Sequence, residues 1–388
     1  MNPTLQAQLD LLRQRIAKVD AKFARPSEPA PLPIDGCEIE GEHGRHFEIE
    51  TFYPFDHRHG NVMVERLREL SPQSWTFLDT ETTGLAGGTG TLAFLIGAGH
   101  VEADGFRLKQ WFLRDHGEEA SALASLAEYL GRFETVVTYN GKSYDQPLLE
   151  TRYTLARQRT PFSRLEHMDL LYGARRLWKM RFESCRLVEL ERQLLGHERI
   201  GDVPGELIPQ IYFDYLRTGR TERLRPVVDH NALDILSLAF LAAIIPPIFE
   251  DPASCPLTHG AELAGLARWL VAQERLEEAV QLYRRAVDAQ IADELLFRCL
   301  WDLAQLERKL ERIDQALIVW TDLSQSKNPY RADAYIELAK YYEHREKNFF
   351  MALECTLAAR QLKPNDEIEN RRMRLEAKIA KPRSRRLL

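Results

Sequence analysis

An α/β domain with a mixed sheet flanked by helices, followed by an all-helical repeat domain, is the architecture this sequence predicts, and three patterns predict it. Apolar runs of strand character at 76–78, 92–96 and 108–113 come in succession. Further strand runs at 136–138 and 167–171 then alternate with helical periodicity at 118–132, 143–157, 186–195 and 226–245, which gives a mixed sheet covered by helices. In the last third the sequence repeats: Leu266-Ala267, Leu303-Ala304 and Leu338-Ala339 recur at spacings of 37 and 35, and Ala279, Ala316 and Ala352 at 37 and 36. Each unit then holds two amphipathic helices with small residues where they cross, and three stacked units bury one continuous seam.

Taken in chain order, residues 1–25 place Leu5, Leu9, Leu12, Ile16, Val19 and Phe23 on one seam of an amphipathic helix. It is too short to hold a coiled coil by itself, so docking on the body of the protein is expected. Residues 26–36 are a Pro-rich linker, since closely spaced prolines sustain neither a helix nor a sheet ladder. The α/β domain with its N-terminal extension is expected over 37–252, with 38–50 an alternating hairpin, the helical repeats over 258–380, and a basic tail over 381–388.

Of 388 residues, 44% are hydrophobic and 28% charged, which excludes an extended disordered chain. The longest apolar stretch, 235–245, is shorter than a membrane span, and no cleavable apolar leader follows Met1, so a cytoplasmic protein with no membrane partner is expected. Five scattered cysteines without a paired spacing point to reduced thiols. The net charge is −6, yet from Arg371 to Leu388 there are eight Lys/Arg against the single acid Glu376, read as a solvated, frayed terminus. Any attraction for nucleic acid must therefore be local.

Chemistry gathers in three places. An apolar strand from Trp75 ends in Asp79 and Glu81, two carboxylates at i and i+2 that share one strand face and, if buried together, need a cation. A second strand leads through Tyr139, Asn140 and Gly141 to Asp145 at a helix start. On a late helix, His230 and Asp234 stand at i and i+4 on one face.

This order resembles the DEDD exonuclease superfamily, which has a ribonuclease H-like fold. The segments Tyr139 to Asp145, His167-Met168-Asp169-Leu170, Ser184 to Leu187 and Gly201 to Pro209 resemble its YprB-type branch, as does the joining of such a domain to degenerate tetratricopeptide-like repeats. The resemblance implies a 3′–5′ exonuclease that hydrolyses phosphodiester bonds by two-metal catalysis, with Mg²⁺ or Mn²⁺ on Asp79, Glu81, Asp145 and Asp234 and with His230 taking the proton of the attacking water. One departure stands out: the superfamily usually has His five residues, or Tyr four residues, before its last Asp, and here His occupies the Tyr spacing. The resemblance also implies Thr82, Thr83, Gly84, Leu85 and Asn140 as substrate contacts. Asp169 is either a fifth acid near the site or a structural cap.

Gly87-Gly88-Thr89-Gly90 lacks phosphate-loop spacing and reads as a turn. His43, His46, His57 and His59 cluster without a thiolate, so core or phosphate-contacting roles are expected ahead of a metal. The expected substrate is nucleic acid, single-stranded DNA ends foremost, with a protein partner recruited through the repeats. Exonuclease action on RNA, or a non-catalytic scaffold that holds nucleic-acid ends, are the alternatives.

Overall fold

The computed structural model describes residues 32, 34–70, 74–84, 90–289 and 291–380. The helix expected over 1–25, most of the linker 26–36, Leu85, residues 87–89 of the glycine turn and the tail 381–388 lie outside the described residues. Two compact units divide the chain: one takes it as far as Ala174 together with Ser184–Pro246, the other takes Arg175–Glu183 and Pro247 onward.

The first unit is built on strands β1 (Cys37–Gly41), β2 (Gly44–Pro54), β5 (Trp75–Thr82), β6 (Ala93–Val101), β7 (Gly105–Phe112), β8 (Thr135–Thr138) and β9 (Glu166–Asp169). They form one seven-stranded sheet in the order β1-β2-β7-β6-β5-β8-β9. Neighbours from β1 to β5 are antiparallel, whereas β5–β8 and β8–β9 are parallel, so the sheet is mixed as expected. The expected hairpin is β1–β2. A small second sheet pairs β3 (Arg58–His59) with β4 (Val62–Met63).

Helices α1 (Glu119–Leu130), α2 (Asp145–Leu155), α5 (Ile208–Thr218) and α6 (Leu224–Ala242) accompany the sheet. Between α2 and α5 lie α3 (Leu170–Trp178) and α4 (Leu187–Leu190). The run read as one strand over 167–171 divides at Asp169, where β9 passes directly into α3 with no turn residue to mark the change. The single helix read over 186–195 is the short α4, continued as a π-helical turn over Glu191–Leu195. Such widened turns commonly serve a site.

Helix α6 packs on β5 and β6. Pro226 sits in its first turn, where no intrahelical N–H is required. Gly97 of β6 stands directly opposite Asp79 in the strand register, and a Cβ there would overlap Asn231 Oδ1 and Ile235 Cδ1. Glycine thus lets α6 lie close enough for its side chains to reach β5. The stretch Leu224–Glu250 is long and apolar enough to cross a membrane by length and composition, and 61% of its apolar window is buried within the fold. Helix α7 (Ile245–Glu250) ends that stretch.

The second unit is all-helical: α8 (Gly260–Ala272), α9 (Leu276–Asp288), α10 (Asp293–Lys309), α11 (Ile313–Gln325), α12 (Arg331–His344), α13 (Phe349–Leu362) and α14 (Asp366–Ala380). The repeated residues Leu266, Ala267, Leu303, Ala304, Leu338 and Ala339 fall on the first helix of each pair and Ala279, Ala316 and Ala352 on the second, all of them buried. The turns repeat as well. Glu274, Glu311 and Lys347 each take the left-handed conformation, with φ of 57°, 62° and 57°, between the two helices of a pair.

The terminus read as solvated from Arg371 is corrected as far as Ala380, because it forms α14. Arg371, Arg374 and Lys378 share a helical face and converge on the buried Glu343 of α12, at 2.7 Å from Arg371 Nη1, 2.8 Å from Arg374 Nη2 and 2.7 Å from Lys378 Nζ. Burial raises the Glu343 pKa, but bonds to Arg374 and Lys378 outweigh it and bring it down to about 2. A depressed acid contributes stability above its unfolded pKa and loses it as pH falls through the folded one. Glu343 therefore contributes about 3 kcal/mol at neutral pH, lost between roughly pH 4.5 and 2. Glu343→Gln is expected to release α14, lowering stability by about 3 kcal/mol in urea titrations at pH 7 but hardly at pH 2. Equal losses at both pH values would refute the charged staple.

Candidate active site

Four carboxylates converge from three elements of the first unit. Strand β5 supplies Asp79 and Glu81, α2 supplies Asp145 as its first residue, and α6 supplies Asp234. Three of them are held by a hydrogen-bonding neighbour. Asn231 Nδ2 donates to Asp79 Oδ2 at 2.9 Å, and its own Oδ1 accepts from Gln110 Nε2 at 2.8 Å. Thr80 Oγ1 donates to Asp145 Oδ1 at 2.6 Å. Arg199 Nη2 donates to Asp234 Oδ1.

The loop before α2 explains how Asp145 arrives. After β8 the backbone turns left-handed at Asn140, with φ 69°, and Gly141 lies so close to Thr138 that a Cβ would overlap its side chain. The Asp169 carboxylate accepts the N–H groups of Asn140, Lys142 and Leu171 at 2.8, 3.1 and 3.1 Å. Its oxygens are taken up by backbone, so Asp169 acts as the structural cap and fixes the loop that presents Asp145.

Electrostatically the four acids oppose one another. Burial, then Asp234, Asp145 and Glu81, push the Asp79 pKa well above the ordinary carboxylate range. Burial, then Asp234, Asp145 and Asp202, do the same to Glu81. Burial takes Asp145 up to about 6 against the bond from Thr80. Crowded, partly desolvated like charges of this kind are relieved by a hard cation with oxygen ligands. Glu81, His230 and Asp234 also bring ligand atoms within 4.8 Å of one another. The donor set therefore fits divalent metal.

His230 stands among these acids. Asp202 lies 2.8 Å from Nδ1 through Oδ1, and since an ionised carboxylate only accepts, Nδ1 carries the hydrogen. Nε2 then faces the carboxylates, 3.5 Å from Asp234 Oδ2 and 3.8 Å from Glu81 Oε1. Thr82 and Thr83 use their hydroxyls on the loop itself: Thr82 donates to the Gly84 carbonyl at 2.9 Å, and Thr83 accepts from the Leu92 N–H at 2.9 Å.

Sequence reasoning missed Glu191, Arg199, Asp202 and Asn231. For Asn231 a signal existed: it is the polar residue within the apolar face of Val227, Val228 and Ile235. Arg199 and Asp202 sit in a loop whose sequence shows no periodicity, so nothing local announces that they are drawn inward.

The four early histidines do not gather. His43 is exposed and His57 partly buried, whereas His46 and His59 are buried. His46 lies 2.8 Å from both Ser121 Oγ and Glu48 Oε1, with the Ser121 hydroxyl donating to the Gly44 carbonyl, which ties the hairpin to α1. His59 stacks on His197 and Phe240 with its Nε2 2.7 Å from Ser237 Oγ. Among the described residues they form no group of three ligands.

Comparison with known proteins follows the same lines. The RNase H superfamily family model matches residues 76–245, a span that includes all four carboxylates, His230 and Arg199. The chain is 35% identical over 325 residues to the uncharacterized protein YprB of Bacillus subtilis (strain 168), covering 79% of this chain and 78% of that one.

Proposed function

This chain belongs to the YprB family, with a ribonuclease H-like domain, and from that premise we propose that it is a metal-dependent 3′–5′ exonuclease acting on nucleic-acid ends, DNA foremost. The observation that carries the reading is the convergence of four half-buried, mutually repelling carboxylates around one histidine whose Nε2 faces them. The 3′–5′ polarity rests on the family resemblance.

Asp79, Glu81, Asp145 and Asp234 would hold two divalent ions, Mg²⁺ or Mn²⁺, which when bound supply Lewis-acid stabilisation of the charge developing on phosphorus and on the leaving oxygen. The chain's own residues do the rest. His230 Nε2 accepts the proton of the attacking water while Asp202 fixes the ring tautomer and steadies the positive charge that develops. Asn231 and Thr80 keep Asp79 and Asp145 aimed inward. Thr82, Thr83, Gly84, Leu85 and Asn140 belong to the proposed contacts with the terminal nucleotide.

Digestion of 5′- and 3′-labelled DNA and RNA oligonucleotides by the purified protein, with Mg²⁺, Mn²⁺ or a chelator, tests this. Stepwise shortening from the 3′ end that a chelator stops is the expected result, faster on DNA. Faster loss from RNA would replace the polymer, and metal-independent binding without cleavage would make the domain a scaffold.

For the repeats we propose an acidic protein partner. A cavity of about 560 Å³ in the second unit is lined by Arg268, Arg298, Arg308, Lys309 and Asp302, with Arg308 and Lys309 also paired to Glu337 and Glu274 at its edge, so a competing acidic segment would have to displace those pairs. Charge complementarity favours a segment rich in Asp and Glu.

A further inference from the structure

Arg199 is a heavily engaged buried charge of the first unit. Its side chain is 3% exposed, and its guanidinium meets three carboxylates at once. Nε and Nη2 grip the fully buried Glu191 at 2.7 Å each, Nη1 lies 3.2 Å from Asp202 Oδ2, and Nη2 also donates to Asp234 Oδ1. Burial works against its charge, yet Glu191 and Asp234 hold its pKa above the usual value.

Glu191 is itself fixed from behind. Ser237, one helical turn past Asp234 on α6, donates its hydroxyl hydrogen to Glu191 Oε1. It therefore accepts from His59 Nε2. Burial, then His197 and Arg199, bring the His59 pKa down to about 3, so the ring is neutral and supplies an N–H in that direction. The chain His59, Ser237, Glu191, Arg199 thus has every hydrogen assigned, and it ends on Asp234.

The two oxygens of Asp234 are thereby distinguished. Oδ1 is taken by Arg199, and Oδ2 faces His230 Nε2 at 3.5 Å. The same guanidinium holds Asp202, which fixes His230. One side chain sets the position of both the last proposed ligand and the proposed base.

We infer that Arg199 is a positioning residue and an internal counter-cation: it occupies Asp234 Oδ1, competes with divalent metal for that carboxylate, and keeps Asp202 under His230. This inference rests on the proposed metal-dependent reading of the same site. Competition and positioning have opposite consequences for metal affinity and for turnover. Removing Arg199 takes away a positive charge beside the acids and so favours metal, while it frees Asp234 and Asp202 to lose their geometry. A residue that merely holds the fold together would, when removed, weaken both.

Because Arg199→Met alone strands the buried Glu191, the test pairs it with Glu191→Gln. Mn²⁺ binding is measured by electron paramagnetic resonance on the full-length protein without nucleic acid, alongside thermal unfolding and cleavage of a labelled oligonucleotide. Arg199→Met/Glu191→Gln is expected to bind Mn²⁺ ~10-fold more tightly and to turn over ~100-fold more slowly. Glu191→Gln alone leaves the guanidinium with one partner fewer, draws it onto Asp234, and is expected to bind Mn²⁺ more weakly than wild type. Arg199→Lys keeps the charge but not the fork, so it should lose kcat with Mn²⁺ affinity unchanged. If the double variant binds Mn²⁺ no more tightly than a wild type that does bind it, Arg199 is no counter-cation and only this inference fails. A wild type that binds no Mn²⁺, or binds it equally well as Asp234→Asn, overturns the metal reading and this inference with it.

Discussion

Asp79→Asn is expected to abolish cleavage, by ~10³-fold or more, and to raise the melting temperature of the metal-free protein. The two effects share one cause. Asp79 stands half-buried among Asp234, Asp145 and Glu81, and without a cation its charge is opposed by desolvation and by all three. The amide keeps the same shape and can still accept from Asn231 Nδ2, so packing is preserved while a partly desolvated negative charge disappears. A gain of about 1 kcal/mol, or roughly 2–4 °C, is a reasonable scale. Mn²⁺ should raise the melting temperature of the wild type by mass action and that of the variant far less. Melting lower than wild type, with cleavage retained, would remove Asp79 from the centre of the site.

His230→Ala is expected to slow turnover by ~10²-fold or more with little change in Mn²⁺ affinity, as for the loss of a general base. Asp202→Asn should follow in the same direction, because Asp202 is what leaves Nε2 facing the carboxylates. The double variant should be no slower than His230→Ala, since a residue that acts through the imidazole has nothing to orient once the ring is gone. Additive losses would mean that Asp202 acts on the substrate or metal directly. Wild-type turnover in His230→Ala would leave His230 as a packing neighbour of Asp234.

Reading the chain alone recovers the parts of the fold whose physics is local. Strand β5 is an apolar run, β8 likewise, and the repeat helices carry Leu-Ala pairs at a fixed period, all of which a short window reveals. Where an element begins without a turn residue, as α3 does directly after β9, the window blurs strand into helix. The basic run from Arg371 looked like surplus charge because its partner Glu343 lies 28 residues upstream of Arg371 and two helices earlier.

The same division runs through the site. Sequence by itself determined the order Asp79, Glu81, Asp145, His230, Asp234 and the facing of each local pair, since i, i+2 on a strand and i, i+4 on a helix follow from backbone geometry. Only the tertiary structure decided that Asp145 comes to β5 through a loop pinned by Asp169, that Gly97 lets α6 bring Asn231 onto Asp79, and that Arg199 is drawn inside to join Glu191, Asp202 and Asp234. The physical reason is range. Periodicity records which face of one element avoids water, whereas a buried ion network is set by which elements meet, and its members come from a π-helical turn, an aperiodic loop and a helix separated by up to 43 residues from Glu191 to Asp234.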